Sequence, residues 1–394
     1  MQSNIILLEN YVADIKKEIM DIEVKTDKFR KVVSCASRAS SNKAIQPILN
    51  NILLSSEKGF LMVSATDLDL AIECKLPADV SRPGRITLPA KKLDEIINKA
   101  SGESVNISID KNQLAKILSD KAKFQINGVN PEEFPDVISR KEEKPVKMNQ
   151  SELLRAISLT SFSTSKFEST SILSGANFEV NGNKFEIGAT DGSRLARYIG
   201  NLSEAEKSQK KSAVIPGRAL VELERLIDTF KDGNEFVSVY FLPGQIIFQN
   251  NDFSLSTRLI NGTFPEYDKL IPKEQSNKAV FVRSELLSAL ERVAILANER
   301  TNVVKFSFEK GNKTAQLNSN SPDYGNATDE TGVEYTGNSM EIAFNYRYLA
   351  EALRNLQVEK ILIEMETSLS PILLGTGEKV DYNYTYLIMP VQLR

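Results

Sequence analysis

A helical stripe at positions i, i+3, i+4 and i+7 occurs three times in one register: Phe29, Val32, Val33, Ala36; Leu153, Ala156, Ile157, Thr160; and Leu286, Ala289, Leu290, Val293. That spacing lines one face of an α-helix. Asp27, Ser151 and Ser284 each stand two residues ahead of a stripe. They are the expected N-caps, because their side-chain oxygens can accept from the orphan N–H groups of a first turn. A strand-rich stretch follows each helix and ends on an aspartate: "FLMVSATD" at Asp67, "KFEIGATD" at Asp191 and, more loosely, "TAQLNSNSPD" at Asp323.

A second helix is predicted in each copy, over "TLPAKKLDEIINKA", "VIPGRALVELERLI" and "AFNYRYLAEALRNL". Pro89 and Pro216 fall near the first turn, where a missing N–H costs little, and Asn345 takes that place in the third copy. Leu93, Ile96, Ile97, Ala100 match Leu349, Ala352, Leu353, Leu356, while Glu224 interrupts the middle stripe between Leu223 and Ile227. More strands follow ("VNISID", "FVSVYFL", "KILIEME"), and the copies close at Phe134-Pro135, Phe264-Pro265 and Met389-Pro390.

Asp67 and Asp191 lie 124 positions apart, as do Phe29 and Leu153, and Leu286 lies 133 beyond Leu153. The chain therefore reads as three tandem copies of one α+β unit, helix-strands-helix-strands, and repeated Ala-Thr-Asp follows from duplication. The expected domains are 20–143, 144–272 and 273–394, with charged, Pro-containing linkers at "SRKEEKPVK" and "IPKEQSNK". Residues 1–19 lie outside the repeat and are expected to be either a disordered N-terminal extension or the product of an upstream start, with Met20 an alternative first residue.

Composition narrows the function. The 394 residues are 41% hydrophobic and 26% charged, the balance of a soluble globular protein, and no run is long enough to span a membrane. The N-terminus resembles neither a signal nor a transit peptide, so the chain is expected in the cytoplasm. Cys35 and Cys74 sit in apolar patterns and are expected to be buried, reduced thiols rather than a disulfide or metal pair. Net charge is −3, which argues against a strong overall grip on nucleic acid but permits a concentrated basic surface. There is no His, which removes the commonest general base and transition-metal ligand.

Asp67, Asp69 and Asp191 could serve a metal-dependent phosphodiesterase. Against this, the third copy has Ser-Pro-Asp in that place, and an Asp after a strand ordinarily organises its turn by accepting from local N–H groups. A phosphate-binding P-loop is absent, since "GTGEKV" lacks the spacing. A repeat scaffold that binds proteins and not DNA is the other alternative.

Equivalent units tend to close into rings. Six helices at ~9.5 Å spacing form a circle about 18 Å across and leave about 8 Å inside. Twelve, from two chains, leave an opening near ~25 Å, enough for a duplex of roughly 20 Å.

The threefold repeat, "IQPILNNILL" at 45–54, "ATDGSRLA" at 189–196, "RLINGTFPEYDKLIP" at 258–272 and the terminal "YLIMPVQLR" together resemble the bacterial sliding clamps, the DNA polymerase III β subunits. The resemblance covers residues 20–394. It implies a head-to-tail homodimeric ring with helices inside and sheets outside. Such a ring encircles double-stranded DNA without sequence preference, and it needs no cofactor, metal or catalysis. It implies a cytoplasmic, nucleoid-associated protein that tethers the replicative DNA polymerase, the clamp loader, other polymerases, and ligase or mismatch-repair proteins, with no membrane partner.

Partners of that family dock a short peptide, often beginning with Gln and ending in Leu-Phe, between the second and third domains. The matching positions are Leu173, Thr190, Gly192, Arg194, Leu195, Pro265, Leu270, Asn345, Tyr348, Leu387, Met389, Pro390 and Val391. Ser193 departs from the His common there, and Arg394 extends the chain by one residue past the usual end. Lys43 and Arg218 match DNA-contacting positions. Arg155, Arg225, Lys91 and Lys92, and more loosely Lys28, Arg30, Lys31, Arg38, Arg292, Arg347 and Arg354, are further basic residues on or near the helices. The dimer contact is expected between Ile295 and Leu296 of one subunit and Phe124 and Ile126 of the other.

Overall fold

The computed structural model describes residues 18–41, 46–136, 143–166, 171–202 and 210–392. Lys43, the 1–17 segment and Arg394 lie outside the described residues. Six α-helices fall where the stripes require: α1 Thr26–Ser37, α2 Ala90–Lys99, α3 Gln150–Ser158, α4 Gly217–Thr229, α5 Arg283–Ala294 and α6 Tyr346–Asn355. Most stripe residues are buried, with Phe29, Val33, Leu93, Ile97, Leu286, Leu290, Leu349 and Leu353 fully so.

By contact density the chain divides into two compact units, one of Met1–Gln150 with Glu222–Arg258, the other of Ser151–Val221 with Leu259–Arg394. In the first, the order of a five-stranded antiparallel sheet is Asp79–Arg82, Glu18–Lys25, Ser104–Asp110, Leu114–Ser119, Ala122–Asn127. An eight-stranded sheet runs Val146–Asn149, Phe236–Leu242, Gln245–Gln249, Phe253–Arg258, Leu70–Pro77, Phe60–Thr66, Asn51–Glu57, Arg85–Pro89. In the second unit a nine-stranded sheet runs Lys211–Pro216, Gly175–Asn181, Lys184–Thr190, Arg194–Asn201, Asn383–Ile388, Ile372–Thr376, Lys360–Met365, Asn277–Val282, Glu334–Thr336. A four-stranded sheet runs Gly325–Gly332, Thr314–Ser321, Val303–Phe308, Met340–Asn345.

The two largest sheets each join two repeats, and they do so alike. The strand after the turn aspartate of one repeat pairs with the last strand of the next: Leu70 opposes Thr257, and Arg194 opposes Ile388. The hydrogen bond beyond each pair is also shared, Arg258 N–H to the Asp69 carbonyl and Met389 N–H to the Ser193 carbonyl, both at 2.9 Å. Because sheets run through the repeat junctions, strands of the middle repeat are divided between the two compact units.

Three expectations are corrected. The helices begin before the N-caps read from the sequence. Lys25 and Val282 are extended residues without a side-chain cap, Asp27 lies in the first turn, where it pairs with Arg30 at 2.7 Å, and α3 starts ahead of Ser151. The first N–H is instead taken by a carbonyl from the loop after the second helix: Thr26 by Glu103 at 3.0 Å, Gln150 by Glu235 at 2.8 Å, Arg283 by Glu359 at 2.9 Å. Thr160 does not extend the α3 stripe, because the helix stops at Ser158 and Thr160 turns its hydroxyl back to the Ala156 carbonyl at 2.6 Å. Glu224 does not break the α4 face, which buries Leu220, Leu223, Leu226 and Ile227; the acid inside it is Glu222, 8% exposed.

Both cysteines are free and buried, and burial pushes both thiols up from the ordinary thiol range. Among the described residues no helix is long and apolar enough to cross a membrane.

Candidate functional site

The Thr-Asp turns are built twice on one plan. The Asp67 carboxylate accepts from Asp69 and Leu70 N–H at 3.1 and 2.8 Å, and Asp191 accepts from Ser193 and Arg194 N–H at 2.9 and 3.1 Å. The threonines repeat too: Thr66 donates to the Leu70 carbonyl at 3.0 Å, Thr190 to the Arg194 carbonyl at 2.6 Å. Each aspartate is thus consumed by its own turn. The residue after it takes positive φ, +80° at Leu68 and +89° at Gly192, a conformation that favours glycine.

In the second unit that turn delivers Arg194 and Leu195 to the junction. Leu195 pairs with Leu387 across the sheet, and the two form a buried apolar floor with Val214, Phe264 and Tyr267. Ile172, Leu173, Ile260, Ile271 and Leu373 pack around it, half-buried. Leu270 at 61% and Met389 at 43% exposure stand on the rim, with Pro265 exposed and Pro390 and Val391 half-buried. Phe264 and Tyr267 meet edge to face at 5.9 Å. The Tyr267 hydroxyl donates to Glu186 at 2.6 Å; burial first and that bond second push its phenol up, so it stays neutral. Gly188 is required beneath this ring, since a Cβ there would lie 2.4 Å from it.

Arg194 fastens the junction. Its Nε donates to Asp191 at 3.0 Å, Nη2 to the Phe162 carbonyl at 2.7 Å, and Nη1 pairs with Glu351 of α6. The guanidinium carbon lies 4.4 Å from the Tyr348 ring centroid and 5.5 Å from that of Phe162. Burial opposes its charge, but Tyr386 and Glu351 outweigh burial and hold its pKa above the usual arginine value. With its side chain 4% exposed and its nitrogens engaged, Arg194 shapes the site and has no charge to present to a ligand. Asn345 is likewise structural: it caps α6, accepting from Arg347 N–H at 3.0 Å. The tail is tied by Val391 N–H to the Ala343 carbonyl at 2.7 Å.

The thirteen positions expected to line a peptide pocket all fall within the second compact unit, and of them Leu173, Leu195 and Leu387 belong to the apolar cluster. The same cluster contains Val214, Phe264, Tyr267, Ile172 and Ile260, which are not among those thirteen; the segment "RLINGTFPEYDKLIP" holds three of them.

The basic candidates are mixed. Lys91, Lys92, Arg218 and Arg225 are exposed, but Lys92 pairs with Glu95 at 2.8 Å and Arg225 with Glu222 at 2.6 Å. Arg155 pairs with Asp381 at 3.2 Å and lies over Tyr382, which makes it a fastener of the second unit. Arg30 donates to the Ile97 and Ala100 carbonyls at the end of α2. Ile295 is 77% exposed, Leu296 half-buried, and Phe124 and Ile126 half-buried on an edge strand. Among the described residues no three acidic or thiol groups gather as a metal site.

Family models for the DNA polymerase III beta subunit match the chain in succession: the N-terminal domain over residues 20–138, the central domain over 147–266 and the C-terminal domain over 268–392. The chain belongs to the DNA polymerase III beta subunit family. It is similar to the beta sliding clamp of Synechococcus elongatus, 34% identical over 378 residues, which are 95% of this chain and all of that one. The beta sliding clamp of Staphylococcus epidermidis is 26% identical over 384 residues, again 95% of this chain and all of the relative. Crystal structures of the Bacillus subtilis sliding clamp and the Thermotoga maritima beta subunit superpose with TM-score 0.85 each, at 27% and 26% identity, over 95% of this chain and all of theirs. The fold is thus three clamp domains of mixed helix and sheet.

Proposed function

We propose that the chain is a DNA sliding clamp: two copies close into a ring around duplex DNA and tether the replicative polymerase without catalysing a reaction. The observation that carries this is the pattern of strand edges. Both junctions inside the chain join a post-turn strand to the last strand of the next repeat. One post-turn strand, Gly325–Gly332 of the third repeat, and one closing strand, Ala122–Asn127 of the first, are left at sheet edges. These are the two halves of a third such junction, and an open pair of edges invites pairing between copies. Helix α5 packs on Gly325–Gly332 and ends beside exposed Ile295. A partner strand added there would bring its Phe124 and Ile126 to those apolar residues. Six repeats from two copies give twelve helices, the number whose circle admits a duplex. The domain boundaries we assign remain 20–143, 144–272 and 273–394.

The floor of Leu195, Leu387, Val214, Phe264 and Tyr267 with its Leu270 and Met389 rim is the proposed seat for the Leu-Phe end of partner peptides. Each apolar side chain buried there contributes about 1.5–3 kcal/mol, offset by ordering of the peptide, so isolated peptides should bind at micromolar Kd. The first junction lacks such a seat. Its counterparts of Leu195, Leu387 and Met389 are Ala71, Ser256 and Arg258, too small or too polar to form an apolar groove.

The decisive experiment loads the protein onto nicked circular DNA with a clamp loader and ATP, then applies gel filtration before and after a restriction cut. Co-elution with the circle and release from the cut DNA is expected. Elution apart from DNA in both cases, with a competent loader, would sink the reading in favour of a protein-binding scaffold.

A further inference from the structure

Helix α4 holds a carboxylate inside its apolar face. Glu222 is 8% exposed, beside Leu223 and Leu226, which are at most 1% exposed. Its Oε1 accepts from Arg225 Nη1 at 2.6 Å. Its Oε2, out of contact with solvent, accepts no hydrogen bond and faces Arg38 Nε at 3.9 Å, where α1 ends. The same seam between α1 and α4 brings Cys35 Sγ to 3.8 Å from Thr229 Oγ1. The two arginine side chains are 42% and 50% exposed, whereas the side chain of the acid beneath them is 10% exposed. A buried carboxylate oxygen without a donor is costly, and aliphatic residues of similar volume would fill this seam more stably. What Glu222 supplies that they would not is a negative charge under two arginines contributed by different repeats.

We propose that Glu222 moderates the grip of the clamp on DNA, by neutralising in part the Arg38–Arg225 pair so that phosphates passing this point are held weakly and the ring slides. The proposal rests on the sliding-clamp reading and on α1 and α4 facing the duplex. Each phosphate neutralised by a cation releases counterions and steepens the salt dependence of binding. An arginine already matched by a carboxylate contributes less to that release.

The test is the affinity of the full-length dimer for linear duplex as salt is raised from 50 to 200 mM. Glu222→Gln keeps the shape and removes the charge. It should bind more tightly at low salt and steepen the log–log slope by about 0.9 for each phosphate gained, ~3.5-fold more affinity lost across that range. Arg225→Ala added to Glu222→Gln should restore the wild-type slope. A folded, dimeric Glu222→Gln with an unchanged or shallower slope overturns the proposal. If Glu222→Gln does not fold, Arg225→Ala alone decides: a slope change much smaller than that of Lys91→Ala supports the role, and an equal change refutes it. Wild-type protein that is not retained on closed circles would refute the clamp reading itself, a result separate from an unaltered slope in protein that is retained.

Discussion

Arg194 and Leu387 show how differently two neighbouring residues of the proposed peptide seat act. Arg194 is surrounded by Asp191, Glu351 and the Phe162 carbonyl, so its removal takes one of three donors from Asp191, leaves partly exposed Glu351 with Lys166 at 3.8 Å and opens a cavity. Arg194→Ala should cost about 2–3 kcal/mol in urea unfolding, below the value for a fully buried pair because Glu351 reaches solvent. Arg194→Lys should recover only part of this, since an ammonium cannot reproduce a planar three-way fork. Leu387→Ala opens a cavity in the floor and should cost about 2–4 kcal/mol. Met389→Ala on the rim should change stability by less than about 0.5 kcal/mol while weakening peptide binding several-fold in calorimetry. Equal effects of Leu387→Ala and Met389→Ala on stability would contradict the assignment of floor and rim. Much of this was legible: the leucines, Met389 and Pro390 are readable from the motifs that contain them. The exhausted state of Arg194 was not, because Glu351 lies 157 positions away and only the fold brings it near.

At the scale of elements, the sequence patterns predicted the six α-helices found among the described residues, yet the helix starts differed. A side-chain cap is local and can be read from neighbours in sequence, whereas here the first N–H of α1, α3 and α5 is satisfied by a carbonyl from the loop after the repeat's second helix. The three tertiary caps make the two helices of a repeat depend on each other. The proposed peptide seat is likewise shared among elements: a turn, a strand pair, a short 3-10 segment over Tyr267–Leu270 and the tail after Ile388. Deleting residues 389–394 leaves the strand Asn383–Ile388 whole and removes the rim. Peptide binding should be lost while the dimer persists in light scattering. Peptide binding undiminished by the deletion would place the pocket elsewhere.

For the whole molecule, the decisive feature is the pair of unmatched edges. Replacing Ile295 and Leu296 together with alanine should convert the dimer to monomers in light scattering. The monomer should keep its stability to within about 0.5 kcal/mol for the exposed Ile295, with a somewhat larger loss from half-buried Leu296. It should also lose retention on circular DNA. A double variant that remains dimeric would show that the subunits meet at another edge. The overall charge of −3 fits the proposed ring, which would hold DNA by topology, because weak, salt-sensitive contacts suffice when dissociation requires opening.

The sequence by itself determined the repeat, because one pattern recurs 124 and then 133 positions on, and the helix faces and turn aspartates, because each of those depends on residues within a few positions of one another: 3.6-residue periodicity and local N–H acceptance. Tertiary structure alone decided which strand edges are paired across repeats, which arginines are already spent on carboxylates, and that Glu222 rather than Glu224 is buried. Those outcomes depend on desolvation and on partners that only the fold brings together, as with Arg194 and Glu351, 157 positions apart, and Arg38 and Glu222, which meet where α1 and α4 come together.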